Sequence, residues 1–162
     1  MQNAKRGRGG LGEVLSGASV PVDVECSHKG VRAMPKAKQL SVWVESRPGM
    51  LGEVASALGT KKVNIIGLMA PAAEGRGAIR LVVDKPVAAK KALAEGGWET
   101  TEEDIIQVTL ADKPGALGSA ASKLGAVGIN IHYAYTGSAK GAQKVSTFFA
   151  VADVVAALKA LR

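Results

Sequence analysis

Hydrophobic and polar residues alternate along the first patterned stretch of this chain, and a helical periodicity follows it. Residues 40–44 place an apolar side chain at every second position, which predicts a strand with one buried face. Arg47, Pro48 and Gly49 end this pattern, because proline disfavours helix at the residue before it and glycine allows a tight turn. The next apolar residues recur at i, i+3, i+4 and i+7 and predict one stripe of a helix: Leu51, Val54, Ala55 and Leu58.

The pattern continues with three more strands and one more helix. Asp84 and Pro86 mark the start of the helix and Gly96 its end, since proline is favoured in the first turn and glycine after the last. The predicted elements are a strand over 63–70, a strand over 78–83, a helix over 87–95 and a short strand over 98–101. Together with the first strand and helix, their order is β-α-β-β-α-β.

A second copy of this pattern follows the first. Residues 46–59 align with residues 112–125, and the Pro-Gly and Asn-Ile pairs of the two copies are separated by the same 66 residues. A constant offset across a turn, a helix and the next strand indicates a duplicated unit. The second copy contains a strand that opens with Ile105, Val108 and Leu110, a helical stripe over 117–124, strands over 130–136 and 144–151, and a last helix that Asp153 can cap.

The order of elements predicts the fold. Two βαβ halves of this kind join into a four-stranded antiparallel sheet with both helices on one face, the ferredoxin-like arrangement. The sequence therefore predicts an α+β protein with two ferredoxin-like units side by side. We expect a basic tail over 1–38, a first unit over 39–103 and a second unit over 104–162. The second unit lacks its own last strand, so its free sheet edge needs a cover, which residues 20–24 or another chain could supply.

Composition and charge argue against several classes of protein. A single cysteine cannot form an intrachain disulfide, and no apolar run reaches the roughly 18 residues of a membrane span. We therefore expect a cytoplasmic protein without membrane contact. The net charge is +7, but seven basic against three acidic residues in the tail account for +4 of it, and aromatic residues make up only 4%. These numbers do not indicate nucleic-acid binding.

The first 38 residues carry two chemical features that lack a supporting context. Residues 7–12 have the letters of the dinucleotide fingerprint, but no strand pattern precedes them. Cys26 and His28, with His132, make three soft ligands where a closed zinc site needs four. We therefore predict neither a metal nor a cofactor. Met34 stands just before the first patterned strand, and we hypothesise that the residues before it are dispensable.

The repeated turn can attract a small charged ligand. A strand that ends in Pro-Gly and runs directly into a helix exposes the first amide groups of that helix, and these donors attract a carboxylate or phosphate. Asn64 and Asn130 each offer a carbonyl to an ammonium group and an amide to a carboxylate. Together, a turn and an asparagine could hold a zwitterion. The alternative is that proline and glycine only form the turn and the asparagines only begin a strand.

Each unit resembles the ACT domain, a small regulatory module that binds amino acids in many biosynthetic enzymes. The resemblance rests on the Arg-Pro-Gly-x-Leu-Gly and Lys-Pro-Gly-x-Leu-Gly turns, the helix after each turn, and Val-Asn-Ile or Ile-Asn-Ile at the second strand. It covers nearly all of residues 39–162. The chain as a whole looks like a stand-alone tandem ACT protein, which implies a regulatory protein rather than an enzyme.

The resemblance also implies where a ligand binds. Two ACT units pair into a continuous eight-stranded sheet, and amino acids sit between the loop before the first helix of one unit and the second strand of its neighbour. This implies a free amino acid as ligand, a homodimer or higher oligomer, and a regulated enzyme as a further partner. The implied ligand-binding residues are Arg47, Pro48, Gly49, Met50, Leu51, Asn64 and Ile65 in the first copy, and Asp112, Lys113, Pro114, Gly115, Ala116, Leu117, Asn130 and Ile131 in the second.

The two copies differ at the residue that begins the turn. ACT domains commonly carry an acidic or amide residue there, and the second copy has Asp112 where the first has Ser46. Met50 against Ala116 and Gly67 against Tyr133 also change the shape of the two sites. We therefore expect the second copy to be the stronger site.

Three other functions are each compatible with part of the sequence. A structural or assembly module would use the repeats only for pairing. An acylphosphatase-like enzyme shares the ferredoxin-like fold and uses an arginine and an asparagine, but Pro48 stands where a loop of amides is needed and no nucleophile with a base accompanies Arg47 and Asn64. Nucleic-acid binding rests on the G-x-x-G letters at 49–52 and 115–118, which follow a strand rather than join two helices.

Overall fold

The computed structural model describes residues 32–33, 36–71, 74–137 and 141–162. The features predicted at residues 7–12 and 20–24 and at Cys26, His28 and Met34 lie outside this part of the chain. The helices and strands are β1 (Arg32–Ala33), β2 (Ala37–Glu45), α1 (Met50–Thr60), β3 (Ile65–Met69), β4 (Arg76–Val83), α2 (Pro86–Glu95), β5 (Glu99–Ala111), α3 (Ala116–Ala126), β6 (Ile131–Gly137), β7 (Lys144–Val151) and α4 (Val154–Ala160).

Local sequence signals set the starts of the helices, as predicted. α1 and α3 begin directly after Gly49 and Gly115, whose φ angles of 91° and 85° lie in the left-handed region that glycine adopts without a Cβ penalty. α2 has Pro86 in its first turn. The Asp153 side chain caps α4, because its Oδ1 accepts a hydrogen bond of 2.9 Å from the Ala156 amide.

The buried stripes of α1 and α3 differ from the prediction at their first residue. Leu51 and Leu117 are 41% and 44% exposed, whereas Met50 is buried and Ala116 packs on the core of the second unit. The prediction that the two leucines lead these stripes is wrong. The left-handed glycine fixes where each helix starts, and the first residue after it then shares a face with the residue four positions on. In α1 the buried side chains are Met50, Val54 and Leu58.

One continuous strand joins the two units. The pattern predicted a short strand over 98–101 and a separate strand opening at Ile105, but β5 runs over thirteen residues. Neither glycine nor proline interrupts residues 99–111, so the backbone stays extended. The expected boundary between residues 103 and 104 lies inside β5, whose first half pairs within the first unit and whose second half pairs within the second.

All strand pairs are antiparallel, and the sheet order is β3-β4-β2-β5-β7-β6. β5 pairs with β2 over 99–105 and with β7 over 106–111. One core cluster lies between the first-unit strands and α1 and α2, and another between the second-unit strands and α3 and α4. The predicted α+β fold with ferredoxin-like units and helices on one face is confirmed. In the described part of the chain no strand follows α4.

The strand β1 lies where the second unit lacks a strand. Arg32 pairs with Thr109 and Ala33 with Val108. At these residues β7 pairs with one edge of β5, so β1 must pair with the other edge, the one that β2 pairs with further along. The register of β1 on β5 is shifted by one residue relative to that of β2. The open edge expected in the second unit is therefore partly covered by residues of the same chain.

The sheet curls until its two end strands approach each other. Gly67 on β3 lies so close to the second unit that an added Cβ would come within 2.7 Å of the Phe148 ring and 3.0 Å of the Tyr135 ring. Those two rings stack with centroids 4.8 Å apart. A third core cluster fills this inner face, opposite the helices, and includes Ala37, Val82, Ile105, Tyr133, Tyr135, Phe148 and Ala150. The two units thus share a core on the side that the helices leave open.

Candidate functional site

The two Pro-Gly turns have the same backbone geometry. In each copy the amide four residues after the glycine donates to the glycine carbonyl oxygen, at 3.0 Å in the first copy and 2.9 Å in the second. The Ser46 amide donates to the Gly75 carbonyl oxygen at 2.7 Å, and the Asp112 amide donates in the same way to Gln143 at 3.0 Å. The backbone of the turn itself is therefore the same in both copies.

The first turn is closed by its own side chains. Arg47 donates from Nη1 and Nη2 to the two carboxylate oxygens of Glu53, at 2.8 and 2.9 Å. Glu53 lies in the first turn of α1, so a carboxylate already stands at the positive end of that helix. The hydrogen bonds from Arg47 are the main cause of a lowered pKa of the Glu53 carboxyl. Met50 is buried in the core of the first unit.

The second turn stands beside a cavity of about 220 Å³. Ala116 occupies the position of Met50, and its methyl group is too short to take up the space that a methionine side chain would. Ser119 occupies the position of Glu53, so the first turn of α3 contains no acidic residue. Four residues of the turn line the cavity, namely Asp112, Lys113, Ala116 and Leu117.

Strands β5, β6 and β7 complete the walls of the cavity. Leu110 and Val145 contribute apolar side chains, and Thr136 and Thr147 contribute hydroxyl groups. The Thr147 hydroxyl donates to Thr136 Oγ1 at 3.0 Å, and the Thr136 hydroxyl donates to the Ser146 carbonyl oxygen at 3.2 Å. Because both hydroxyl hydrogens are used within the protein, the remaining lone pairs of these oxygens can accept a hydrogen bond from a ligand.

The two asparagines lie at the other end of the sheet from the turns of their own copies. Asn64 precedes β3, where its amide donates to Asp84 Oδ1 at 2.8 Å and its carbonyl oxygen accepts from the Asp84 amide at 3.1 Å. Asn130 precedes β6, whose far end lines the cavity, and a strand of this length separates the two places by about 20 Å. Ile65 and Ile131 pack on the first and second cores. Within one chain, neither asparagine joins the turn of its own copy.

The remaining residues expected at the two sites lie at the surface. The leucine after the helix start is exposed in both copies. The Pro-Gly pairs are also exposed, namely Pro48, Gly49, Pro114 and Gly115. These residues shape the turns.

The inner face carries polar side chains that the sequence pattern did not predict. This inner polar cluster consists of Gln39, Arg80, Glu103, Tyr133 and Tyr135. Gln39 is fully buried and donates from Nε2 to Glu103 Oε1 at 2.5 Å and to the Tyr133 hydroxyl at 2.6 Å. The Tyr135 hydroxyl donates to Gln39 Oε1 at 2.8 Å, and the Arg80 guanidinium lies 4.8 Å from the centre of the Tyr133 ring. Tyr133 and Tyr135 are two positions apart on β6, and this spacing indicates from the sequence that both side chains lie on the same face of the sheet.

Burial raises the pKa of both tyrosine hydroxyl groups in this cluster. It is the main cause of the raised pKa values of Tyr133 and Tyr135. Both tyrosines are hydrogen-bond donors at neutral pH, as tyrosines ordinarily are, and the Tyr133 hydroxyl donates to Glu103 at 2.7 Å.

Among the described residues, no group of three or more His, Cys, Asp or Glu side chains could hold a metal ion. No helix in the same part of the chain is long and apolar enough to cross a membrane.

The repeated turns and the fold match a known domain family. A family model described as an ACT domain pair matches residues 36–151. The chain belongs to the ACT domain family. The match spans both copies of the repeat, and it confirms the resemblance drawn from the two turns. The ACT domain pair is a regulatory rather than a catalytic domain.

Solved structures share the fold of this ACT pair. A protein from Bacteroides thetaiotaomicron is 27% identical, covers 80% of this chain and 88% of its own, and has a TM-score of 0.72. The ligand-free regulatory subunit of aspartate kinase from Thermus thermophilus is 21% identical, with coverages of 82% and 94% and a TM-score of 0.60. E. coli aspartokinase III in complex with lysine and aspartate is 16% identical, with coverages of 81% and 30% and a TM-score of 0.51. At these identities the two kinase structures show the fold alone. A comparison with curated proteins found no match.

Proposed function

We propose that this ACT pair is a regulatory protein that binds a free amino acid at the turn of its second copy. The observation that carries the proposal is the cavity beside Asp112, Lys113 and Ala116, at the place where the first copy has Met50. Membership of a family of regulatory domains supports a sensing role rather than a catalytic one.

The size of the cavity suits a ligand of amino-acid dimensions. A water molecule takes about 30 Å³ of the liquid, so a cavity of about 220 Å³ has room for about seven groups of that size. A small amino acid has a similar number of non-hydrogen atoms, whereas a nucleotide has several times as many. A small amino acid therefore fits within this volume.

The second turn provides both signs of charge that a zwitterion needs. The first amides of α3 and the positive end of its dipole favour a carboxylate, and the first turn of this helix contains no acidic side chain. Asp112 places a negative charge and Lys113 a positive charge at the wall of the cavity. In the first copy Glu53 already places a carboxylate in the first turn of α1. These differences support the second copy as the binding site.

A second chain would complete the site in this proposal. Asn130 lies about 20 Å along β6 from the cavity of its own chain, so it can meet a turn only across a junction between units. ACT units are expected to pair side by side, which would bring Asn64 or Asn130 of one unit to the turn of a neighbour. We therefore propose a homodimer or higher oligomer that passes the ligand-bound state to an enzyme partner.

Filling the cavity from inside tests the proposal. The measurement is calorimetric titration of the full chain with each proteinogenic amino acid. We expect at least one of them to bind the wild-type protein, and Ala116→Met to weaken that binding by about tenfold or more, because the longer side chain occupies the cavity. Met50→Leu is the matched control: it changes the equivalent position in the first copy and should leave the affinity unchanged.

The outcomes separate the proposal from its main alternative. Circular dichroism establishes that Ala116→Met keeps the wild-type fold, and unchanged affinity in the folded variant would contradict the cavity as the binding site. If no amino acid binds the wild type or raises its melting temperature, the repeats serve pairing alone and the protein is an assembly module.

A further inference from the structure

We propose that Tyr135 and Gln39 couple the cavity of the second unit to the first unit, so that occupation of the cavity changes the inner polar cluster. This inference rests on the proposed function, since it concerns how a ligand in the same cavity is sensed. Neither residue lines the cavity, so both act as positioning residues.

The β6–β7 hairpin has the cavity on one face and the first unit on the other. Thr136 pairs with Thr147 across the hairpin, and both line the cavity. Tyr135 pairs with Phe148 at the adjacent position, and both belong to the third core cluster, on the inner face. Successive side chains of a strand point to opposite faces but share one backbone. A displacement of β6 and β7 at Thr136 and Thr147 therefore also moves Tyr135 and Phe148.

Tyr135 reaches the first unit through one buried hydrogen bond. Its hydroxyl donates to Gln39 Oε1 at 2.8 Å, and Gln39 has no exposure to solvent. Gln39 lies on β2, a central strand of the sheet, and also donates to Glu103 and Tyr133. Separation of Tyr135 from Gln39 would leave a buried polar group without its hydrogen-bond partner, which costs free energy. The two side chains therefore tend to move together.

The packing around this hydrogen bond allows little independent movement. The approach of Gly67 to Phe148 and Tyr135 leaves no room for even one added methyl group. Closely packed interiors transmit displacements because they have few voids to absorb them. A ligand against Thr136 and Thr147 thus shifts the aromatic pair against β2 and β3 of the first unit.

The tryptophans provide a readout on the far side of the cluster. The chain has two, and both lie in the first unit. Trp43 is on β2, four residues beyond Gln39 and on the same face, and Trp98 packs on the first core. Selectively excited tryptophan emission therefore reports on the first unit, whereas the cavity belongs to the second.

The experiment titrates the full chain with each proteinogenic amino acid except tryptophan. Calorimetry follows binding, and tryptophan emission follows the first unit. In the wild type we expect an amino acid that binds to change the emission. Tyr135→Phe keeps the ring and removes the hydroxyl; it should keep the affinity within about threefold and reduce the emission change to less than about half. Gln39→Leu breaks the same hydrogen bond from the other side and should give the same result.

Ser146→Ala is the matched control. It removes a hydroxyl that accepts a hydrogen bond of 3.3 Å from Gln107, within the second unit. Because this bond does not cross to the first unit, the variant should keep both the affinity and the full emission change.

The failure of the coupling and the failure of the proposed function give different results. If an amino acid binds without changing the wild-type emission, or if Tyr135→Phe keeps the whole emission change, the coupling is wrong and the proposed function stands. If none binds, the proposed function is wrong, and Ala116→Met then serves as a built-in occupant of the cavity. The coupling predicts a different emission for Ala116→Met that Tyr135→Phe abolishes; emission equal to that of the wild type overturns it.

Discussion

Gly49 and Gly115 set the starts of α1 and α3 through their backbone conformation rather than through contacts. Both have positive φ angles, and an added Cβ at Gly115 would meet no atom within 4 Å. The cost of a larger residue at this position is therefore conformational. Residues with a Cβ pay about 1–2 kcal/mol to adopt left-handed backbone.

The conformational cost at Gly115 can be measured by comparison with Gly118, a nearby glycine inside α3. We expect Gly115→Ala to lower the free energy of unfolding by about 1–2 kcal/mol. Gly118→Ala is the control, because Gly118 lies inside α3, also in open space, where alanine should stabilise the helix by about 0.5–1 kcal/mol. Urea unfolding of both variants gives the comparison, and effects of the same sign would contradict the left-handed turn.

The ion pair of the first turn depends on pH. Hydrogen bonds from Arg47 lower the pKa of the Glu53 carboxyl. A carboxyl whose pKa is lower in the folded than in the unfolded state contributes its full stabilisation at neutral pH, and loses it as the pH falls through the folded-state value. We expect an NMR titration to place the Glu53 pKa below its ordinary value and Arg47→Gln to raise it. A pKa that does not change in this variant would assign the shift to another group.

At the scale of elements, β5 and β1 decide how the two units are joined. β5 gives one edge to β2 and β1 and the other edge to β7. The second half of β5 therefore pairs with a segment that precedes the first unit in the sequence. The pairing of β1 bears directly on the hypothesis that residues before Met34 are dispensable.

A pair of shortened chains tests that hypothesis. A chain that begins at Met34 loses β1 and its pairing with Val108 and Thr109. We expect its free energy of unfolding to lie about 1–3 kcal/mol below that of a chain that begins at Gly30, because about two backbone hydrogen bonds at about 0.5–1.5 kcal/mol each are lost. Urea unfolding measures the difference. Equal stability of the two chains would support the original hypothesis.

At the scale of the whole molecule, the inner face closes the two units onto each other. The end strands β3 and β6 approach at Gly67, and the inner polar cluster spans β2, β4, β5 and β6. The only side chain that fits at this approach is the hydrogen atom of glycine, which makes the contact sensitive to a single methyl group.

Gly67→Ala is therefore expected to lower the free energy of unfolding by about 1–3 kcal/mol, the usual cost of overpacking. Its Cβ would lie 2.7 Å from the Phe148 ring. Phe148→Leu removes that ring and should recover part of the loss in the double variant. Gly52→Ala, in the open space of α1, controls for the change of residue type. Strictly additive effects of Gly67→Ala and Phe148→Leu would show that the two residues do not interact.

The sequence alone determined those features that depend on a few neighbouring residues. The alternation over 40–44, the Pro-Gly turns and the cap at Asp153 each predicted an element that the structure has. The constant offset of the repeat predicted two units of one fold, and the family match agrees with it. The sequence also has Ala116 in the second copy at the position equivalent to Met50 in the first, and this difference indicated that the two turns differ.

Only the tertiary structure decided how distant segments meet. Ala116 opens a cavity only because β5, β6 and β7 form walls around it, whereas Asn130 lies at the other end of β6 from that cavity. Gln39 and Tyr135 are 96 residues apart, and no local pattern pairs residues at that separation. The continuity of β5 and the place of β1 likewise depend on strand pairing along the whole sheet. Turns and caps follow from short-range sterics and hydrogen bonds, but cavities, shared strands and buried polar contacts follow from long-range packing.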